Sequence, residues 1–191
     1  MPRPGRARGV AQAWIELVAA DPEAWSALSV ARARLPAARA LESLRRWRLV
    51  ELSGLLSGAV ELAACLHRST QFYNPNKERC TIRLAPGDPT PVRAGEVPLL
   101  VRERDGGRRR PAERWWAHET GEAVVVREAV AWAVGFAAGA EGGVEELAVL
   151  RDRRHGLLGN PFSQITSLPG NDIPLPWITS GSEPGDEEEA C

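Results

Sequence analysis

Gln71-Phe72-Tyr73-Asn74-Pro75-Asn76-Lys77-Glu78-Arg79-Cys80 is the stretch on which the fold of this chain turns. Before it, Leu55, Ala59, Leu62 and Leu66 recur at helical spacing. After it, Cys80, Ile82 and Leu84 alternate with Arg79, Thr81 and Arg83, which predicts a strand. Asn-Pro is a turn starter, so the stretch reads as a turn from helix into strand. A second such turn lies in Gly156-Leu157-Leu158-Gly159-Asn160-Pro161-Phe162-Ser163-Gln164, where Asn160 stands 86 residues after Asn74.

The surroundings shift by the same offset. Trp47, Leu49 and Glu51 alternate with Arg48, Val50 and Leu52 up to Ser53-Gly54, and residues 130–138 form a matching apolar run. Helical spacing follows over 55–68 and again over 144–154, and strand-like residues close each unit at 79–84 and 165–168. Strand–helix–turn–strand written twice predicts an α+β fold, a ferredoxin-like sheet built from two βαβ repeats at 46–84 and 130–168. Both helices should then lie on one face.

Outward from these units, residues 85–129 read as an inserted strand–helix–strand segment. Its strands are Val97–Arg102 and Ala123–Arg127, with a helical patch at Trp115 and Trp116 between them. Residues 9–20 place Val10, Trp14, Leu17 and Val18 on one helical face. Asp21-Pro22 is a helix start, with Asp21 as cap and Pro22 where a missing N–H costs nothing. Pro36 opens a third helix through Leu41 and Leu44, so residues 1–45 form a helical N-terminal extension. The ferredoxin-like domain spans 46–178, and 179–191 reads as a disordered acidic tail. Leu158-Gly159-Asn160-Pro161, a turn from helix into strand, resembles the ferredoxin-like small subunit of formylglycinamidine ribonucleotide synthase. The resemblance implies the fold and carries over no site residue.

At 191 residues the chain is long enough to bury a core without staples. No apolar run approaches the ~18 residues of a membrane span, which argues for no membrane association. Cys65, Cys80 and Cys191 show no CxxC spacing, so neither a disulfide framework nor a metal site is expected, and the setting is read as cytoplasmic. Net charge is −1, yet residues 1–48 hold nine arginines against four acids. Lys77 is the only lysine. No P-loop, GxGxxG, HExxH or GxSxG pattern occurs, and no cofactor is expected.

Candidate site residues fall into three groups. Asn74, Asn76, Lys77 and Glu78, with Asn160 in the second turn, have the polar variety of a ligand site, although a turn that bonds its own backbone explains the asparagines as well. Trp115 and Trp116 are neighbours that no regular element turns to one core, so one of them is an interface candidate. Arg108, Arg109 and Arg110 beside these rings have the mix of charge and stacking surface that nucleic-acid binders use. The expectation is a non-catalytic assembly or accessory module that binds protein partners or self-associates as a homo-oligomer. The alternatives are a nucleic-acid-binding protein, and a small enzyme using Lys77, Glu78 and His118.

Overall fold

The computed structural model describes residues 7–137, 143–169 and 172–179. Its elements run β1 (Ala7–Leu17), α1 (Pro22–Arg34), a 3-10 turn (Pro36–Ala38), β2 (Leu41–Leu56), α2 (Ala59–His67), β3 (Glu78–Arg83), β4 (Glu96–Glu103), α3 (Arg110–Thr120), β5 (Val124–Phe136), α4 (Val144–Ala148) and β6 (Gln164–Ser167). The six strands make one open sheet in the order β3-β1-β2-β5-β4-β6, and every neighbouring pair is antiparallel.

The α+β class stands, but this order is not that of a ferredoxin-like sheet. Residues 46–84 and 130–168 do each supply strand, helix and strand to the one sheet. Their strands are not neighbours, however, because β1 lies between β2 and β3, and β4 between β5 and β6. The units sit side by side on either hand of β2–β5 rather than interleaving. Two further expectations are corrected. Residues 7–17 are an inner strand, not a helix in an N-terminal extension. Residues 85–129 are not an insertion, since β4 is an inner strand and Ala123–Arg127 is largely the start of the long strand β5.

Local chemistry accounts for the element ends. Asp21 accepts from the N–H groups of Glu23 (2.8 Å) and Ala24 (3.2 Å) with Pro22 in the first turn, as the sequence indicates. The third expected helix stops after Pro36–Ala38, and β2 begins at Leu41. Helix α3 ends on Gly121, whose φ of 75° suits glycine. Helix α4 stops at Ala148 instead of reaching Arg154. The carbonyl of Leu147 is taken by the N–H of Leu157 and Leu158, and that of Ala148 by the N–H of Gly159. Gly156 makes this return possible, because at its φ of 78° a Cβ would meet the Val149 carbonyl.

All four helices pack on one face of the sheet. Leu62, Cys65 and Leu66 of α2 and Ala112 and Trp116 of α3 meet Ala11, Ala13, Ile15, Val50, Leu52 and Val126. At the other end Ala24 and Ala31 of α1 and Val144, Leu147 and Ala148 of α4 meet Leu44, Leu99, Val101, Trp132 and Val134. A charged seam divides the two half-cores. Arg48 of β2 reaches Glu128 (3.2 Å), Glu78 (3.2 Å) and the Phe72 carbonyl (2.6 Å), while Arg109 bonds Glu128 at 2.6 Å.

Phe72 closes the first half-core. Its ring meets Trp115 and Trp116 edge-on, with centroids 5.6 and 6.1 Å away. Truncating a buried aromatic removes its burial energy and leaves a cavity. Phe72→Ala should therefore lower unfolding free energy by about 3–5 kcal/mol in urea titrations. Val60→Ala, at an 83% exposed position of α2, should stay within about 0.5 kcal/mol. Equal effects of the two would contradict the packing described.

Candidate functional site

The sheet face opposite the helices carries a polar row. Register aligns Arg83 of β3 with Gln12 of β1, Gln12 with Glu51 of β2, and Glu51 with Arg127 of β5. Gln12 is fully buried, and Glu51 and Arg83 are each 2% exposed. Charges at that depth need partners. Arg83 donates to Gln12 Oε1 (3.1 Å) and to the Asp88 and Pro86 carbonyls, while Gln12 Nε2 donates to Glu51 Oε1 at 2.8 Å.

The row is completed by the segment 172–179, which crosses this face. Pro174 O accepts from Gln12 Nε2 (3.0 Å) and Arg83 (3.3 Å). The backbone N–H groups of Trp177 (2.5 Å) and Ile178 (3.1 Å) donate to the two oxygens of Glu51. Ile173, Trp177 and Ile178 cover Trp14, Trp47, Leu49, Leu100, Ala129, Ala131 and Ala133. Trp14 meets Trp47 edge-on at 5.9 Å and Trp177 at 6.0 Å. A polar cleft of about 460 Å³ opens beside the segment, lined by Arg83, Asp88, Arg93, Glu96, Asp172 and Ile173 among others.

Burial raises the Glu51 pKa above its ordinary 4.5, outweighing the N–H of Trp177, the Gln12 amide, the N–H of Ile178 and the charge of Arg127, all of which favour the carboxylate. For Arg83 the sign is opposite to its usual strong basicity. Burial lowers its pKa, against the charges of Asp88, Asp172 and Glu51. Sequence periodicity missed this row. The one signal was Glu51 itself, a carboxylate in phase with Trp47 and Leu49.

Several candidate residues read from sequence bond the backbone of their own turns. Asn74 Oδ1 accepts from the N–H of Asn76 (3.1 Å), and the Asn74 carbonyl accepts from the N–H of Lys77 and Glu78. Glu78 Oε2 in turn accepts from the Asn74 N–H at 2.6 Å. The second turn repeats the arrangement. Asn160 Oδ1 takes the Phe162 N–H (3.0 Å), and Gln164 Oε1 takes the Asn160 N–H (2.9 Å). Lys77 is exposed, and Glu78 is bound to Arg48.

Trp116 is buried in the core at 2% exposed, and Trp115 is half-buried against Phe72. Adjacent rings do reach one core here, because Phe72 comes up from the turn to meet both. Arg108 pairs with Glu113 (2.9 Å) and Arg109 with Glu128 (2.6 Å), which leaves Arg110 outside these pairs. Burial pushes the Glu113 pKa up, yet its bonds to Arg108 and the Val126 N–H and the charges of Arg108 and Arg110 bring it below the ordinary value. The Cys80 thiol is pushed up to about 11 by burial. His118 is exposed on α3. Among the described residues no group of three or more His, Cys, Asp or Glu side chains is placed to hold a metal.

Two aromatic rings are largely exposed elsewhere, Phe162 (91%) in the second Asn-Pro turn and Trp25 on α1. Trp25 is 71% exposed, and Val18 before the helix is 52% exposed. Two grooves flank the helix. One of about 280 Å³ is lined by Leu17, Trp25, Leu28 and Leu44, and one of about 420 Å³ by Ala27, Val30, Trp132, Leu157 and Leu158. No family model matches this chain, and no curated protein or solved structure does either. No helix among the described residues is long and apolar enough to cross a membrane.

The raised pKa of Glu51 carries a signed consequence. A carboxyl whose folded pKa exceeds its unfolded value stabilises the fold most at low pH and loses that contribution as pH rises through the folded pKa. Glu51→Gln cannot titrate. In urea titrations from about pH 4 to about pH 7, the stability of wild type relative to Glu51→Gln should fall as pH rises. A difference that is flat, or that grows with pH, would contradict the burial-dominated environment.

Proposed function

We propose that this protein is a non-catalytic assembly or accessory module whose docking surface is helix α1 and its two flanking grooves. The observation that carries the reading is Trp25. A monomeric surface rarely leaves a large aromatic ring 71% exposed beside further exposed apolar side chains unless a partner covers it. Trp is also the residue type most enriched among interface hot spots. Leu17 lines the same groove as Trp25 and Val30 the groove on the other side of the helix, and these grooves give partner side chains somewhere to enter. The small-enzyme alternative draws less support from the contacts of its named groups. Glu78 is held by Arg48 and by the Asn74 N–H, and no hydrogen bond links it to His118 or Lys77. The nucleic-acid reading draws less support, since Trp116 is in the core, Trp115 is half-buried and two of the three arginines are paired with glutamates.

Sedimentation of the full chain across a concentration series, with the purified fraction also checked for a stoichiometric protein partner, tests this. Wild type is expected either to self-associate or to carry a partner protein, and Trp25→Ala to lose that association at unchanged circular dichroism. Loss of a central aromatic anchor costs ~2 kcal/mol or more, a weakening of at least about 30-fold. A wild type that is monomeric and partner-free would overturn the reading. So would a Trp25→Ala variant that assembles as wild type does.

A further inference from the structure

Helix α1 is complementary in charge to a reversed copy of itself. It starts acidic, with Glu23 in its first turn, and ends basic, with Arg32 and Arg34 in its last. Glu23 reaches Arg46 at 2.8 Å, yet its side chain stays 67% exposed. Arg34 is exposed, and no salt bridge holds it among the described residues. At about 3.6 residues per turn, Glu23, Val30 and Arg34 share one flank of the helix, and Trp25, Leu28 and Arg32 share the other. Between the flanks run Pro22, Ser26, Ser29 and Ala33, all exposed and none long, so a second helix axis can approach. A two-fold axis near Ala27 and Leu28 lays a second copy antiparallel on the first and brings like flanks together. Glu23 of each copy then faces Arg34 of the other. Trp25 of each lies over Leu28 of the other, at the groove of about 280 Å³. A parallel pair would instead set acidic starts together and basic ends together, with the macrodipoles opposed. The net charge of −1 leaves little repulsion between whole copies.

We propose that the partner of the α1 surface is a second copy of this chain, docked antiparallel across a two-fold axis through α1. The pairing rests on the docking role of that helix and commits it to one occupant. Trp25 supplies the apolar anchor. The two Glu23–Arg34 contacts set direction and register more than affinity, as exposed charge pairs do. Two-fold symmetry closes the assembly at a dimer.

Sedimentation of the full chain at low salt, with the fold checked by circular dichroism, tests the pairing through its charges. Wild type should form a dimer and no larger species. Glu23→Arg and Arg34→Glu each set like charges opposite one another at both contacts of a homodimer. Each variant alone should therefore dimerise at least ~10-fold more weakly than wild type. Mixed in equal amounts, the two variants restore opposite charges at both contacts. The mixture should then associate at least ~10-fold more tightly than either variant alone. A mixture no tighter than its components, or single variants that dimerise as wild type does, would overturn the antiparallel pairing. A wild type that is monomeric or forms larger species would overturn it too. If that monomer carries a stoichiometric partner protein that Trp25→Ala releases, the α1 docking surface stands without the self-pairing. If it carries none, both fail.

Discussion

The antiparallel ladder between β2 and β5 is the interaction on which the other elements depend. It runs from Leu41 opposite Phe136 to Gly54 opposite Val124, and it joins three strands on one hand to three on the other. Because both strands are inner strands, both of their faces need cover. One face receives all four helices, in two half-cores parted by the Arg48–Glu128–Arg109 seam. The other receives no helix among the described residues. Its aromatic and aliphatic side chains are closed over by Val92 from the β3–β4 loop and by the segment 172–179. Arg45 ties that loop down by reaching the Pro91 carbonyl and Glu96, each at 3.1 Å, while its guanidinium lies 4.6 Å from the Trp47 ring centroid.

The buried row Arg83–Gln12–Glu51 follows from this one-sided construction. A short segment crossing a sheet cannot satisfy its own N–H and carbonyl groups by joining a ladder, so side chains on the sheet must supply the partners. Glu51 takes two N–H groups at once, which favour its carboxylate, and burial outweighs them and raises its pKa. Replacing such a group by an apolar one need not destabilise a protein, whereas removing only one partner does. The row thus contributes selectivity for a backbone path more than net stability.

Much of the fold was legible, and the misreadings have physical causes. Asp21-Pro22 announced α1 because capping is local chemistry, and the two Asn-Pro turns announced β3 and β6 for the same reason. The 86-residue offset was informative, since β6 begins at Gln164 and β3 at Glu78. β1 was misread as a helix because Ala11, Ala13 and Ile15 pack on one face while Gln12 and Trp14 are buried on the other. An inner strand covered on both sides shows no polar alternation, and Val10 and Trp14 happen to stand at helical spacing. That error hid β1 between β2 and β3 and made the ferredoxin-like order look natural. Strand pairing is a long-range property, and no local spacing in Val97–Arg102 reveals that β4 is an inner strand. The candidate site was less legible still. Trp115 and Trp116 looked exposed only because Phe72, 43 and 44 positions earlier, was not known to reach them. Trp25, by contrast, lies on a helix with no clear apolar stripe, so nothing local marked its ring as outward-facing.

The closure of the second sheet face by Glu51 is the claim from which the remainder follows, and amide NMR across a pH titration tests it most directly. One buried carboxylate accepts from both the Trp177 and Ile178 N–H groups. Their proton shifts should move together, through a single shared midpoint above 4.5, as Glu51 is protonated. Two amides that do not titrate, that titrate with separate midpoints, or that share a midpoint at or below 4.5 would contradict a clamp at Glu51.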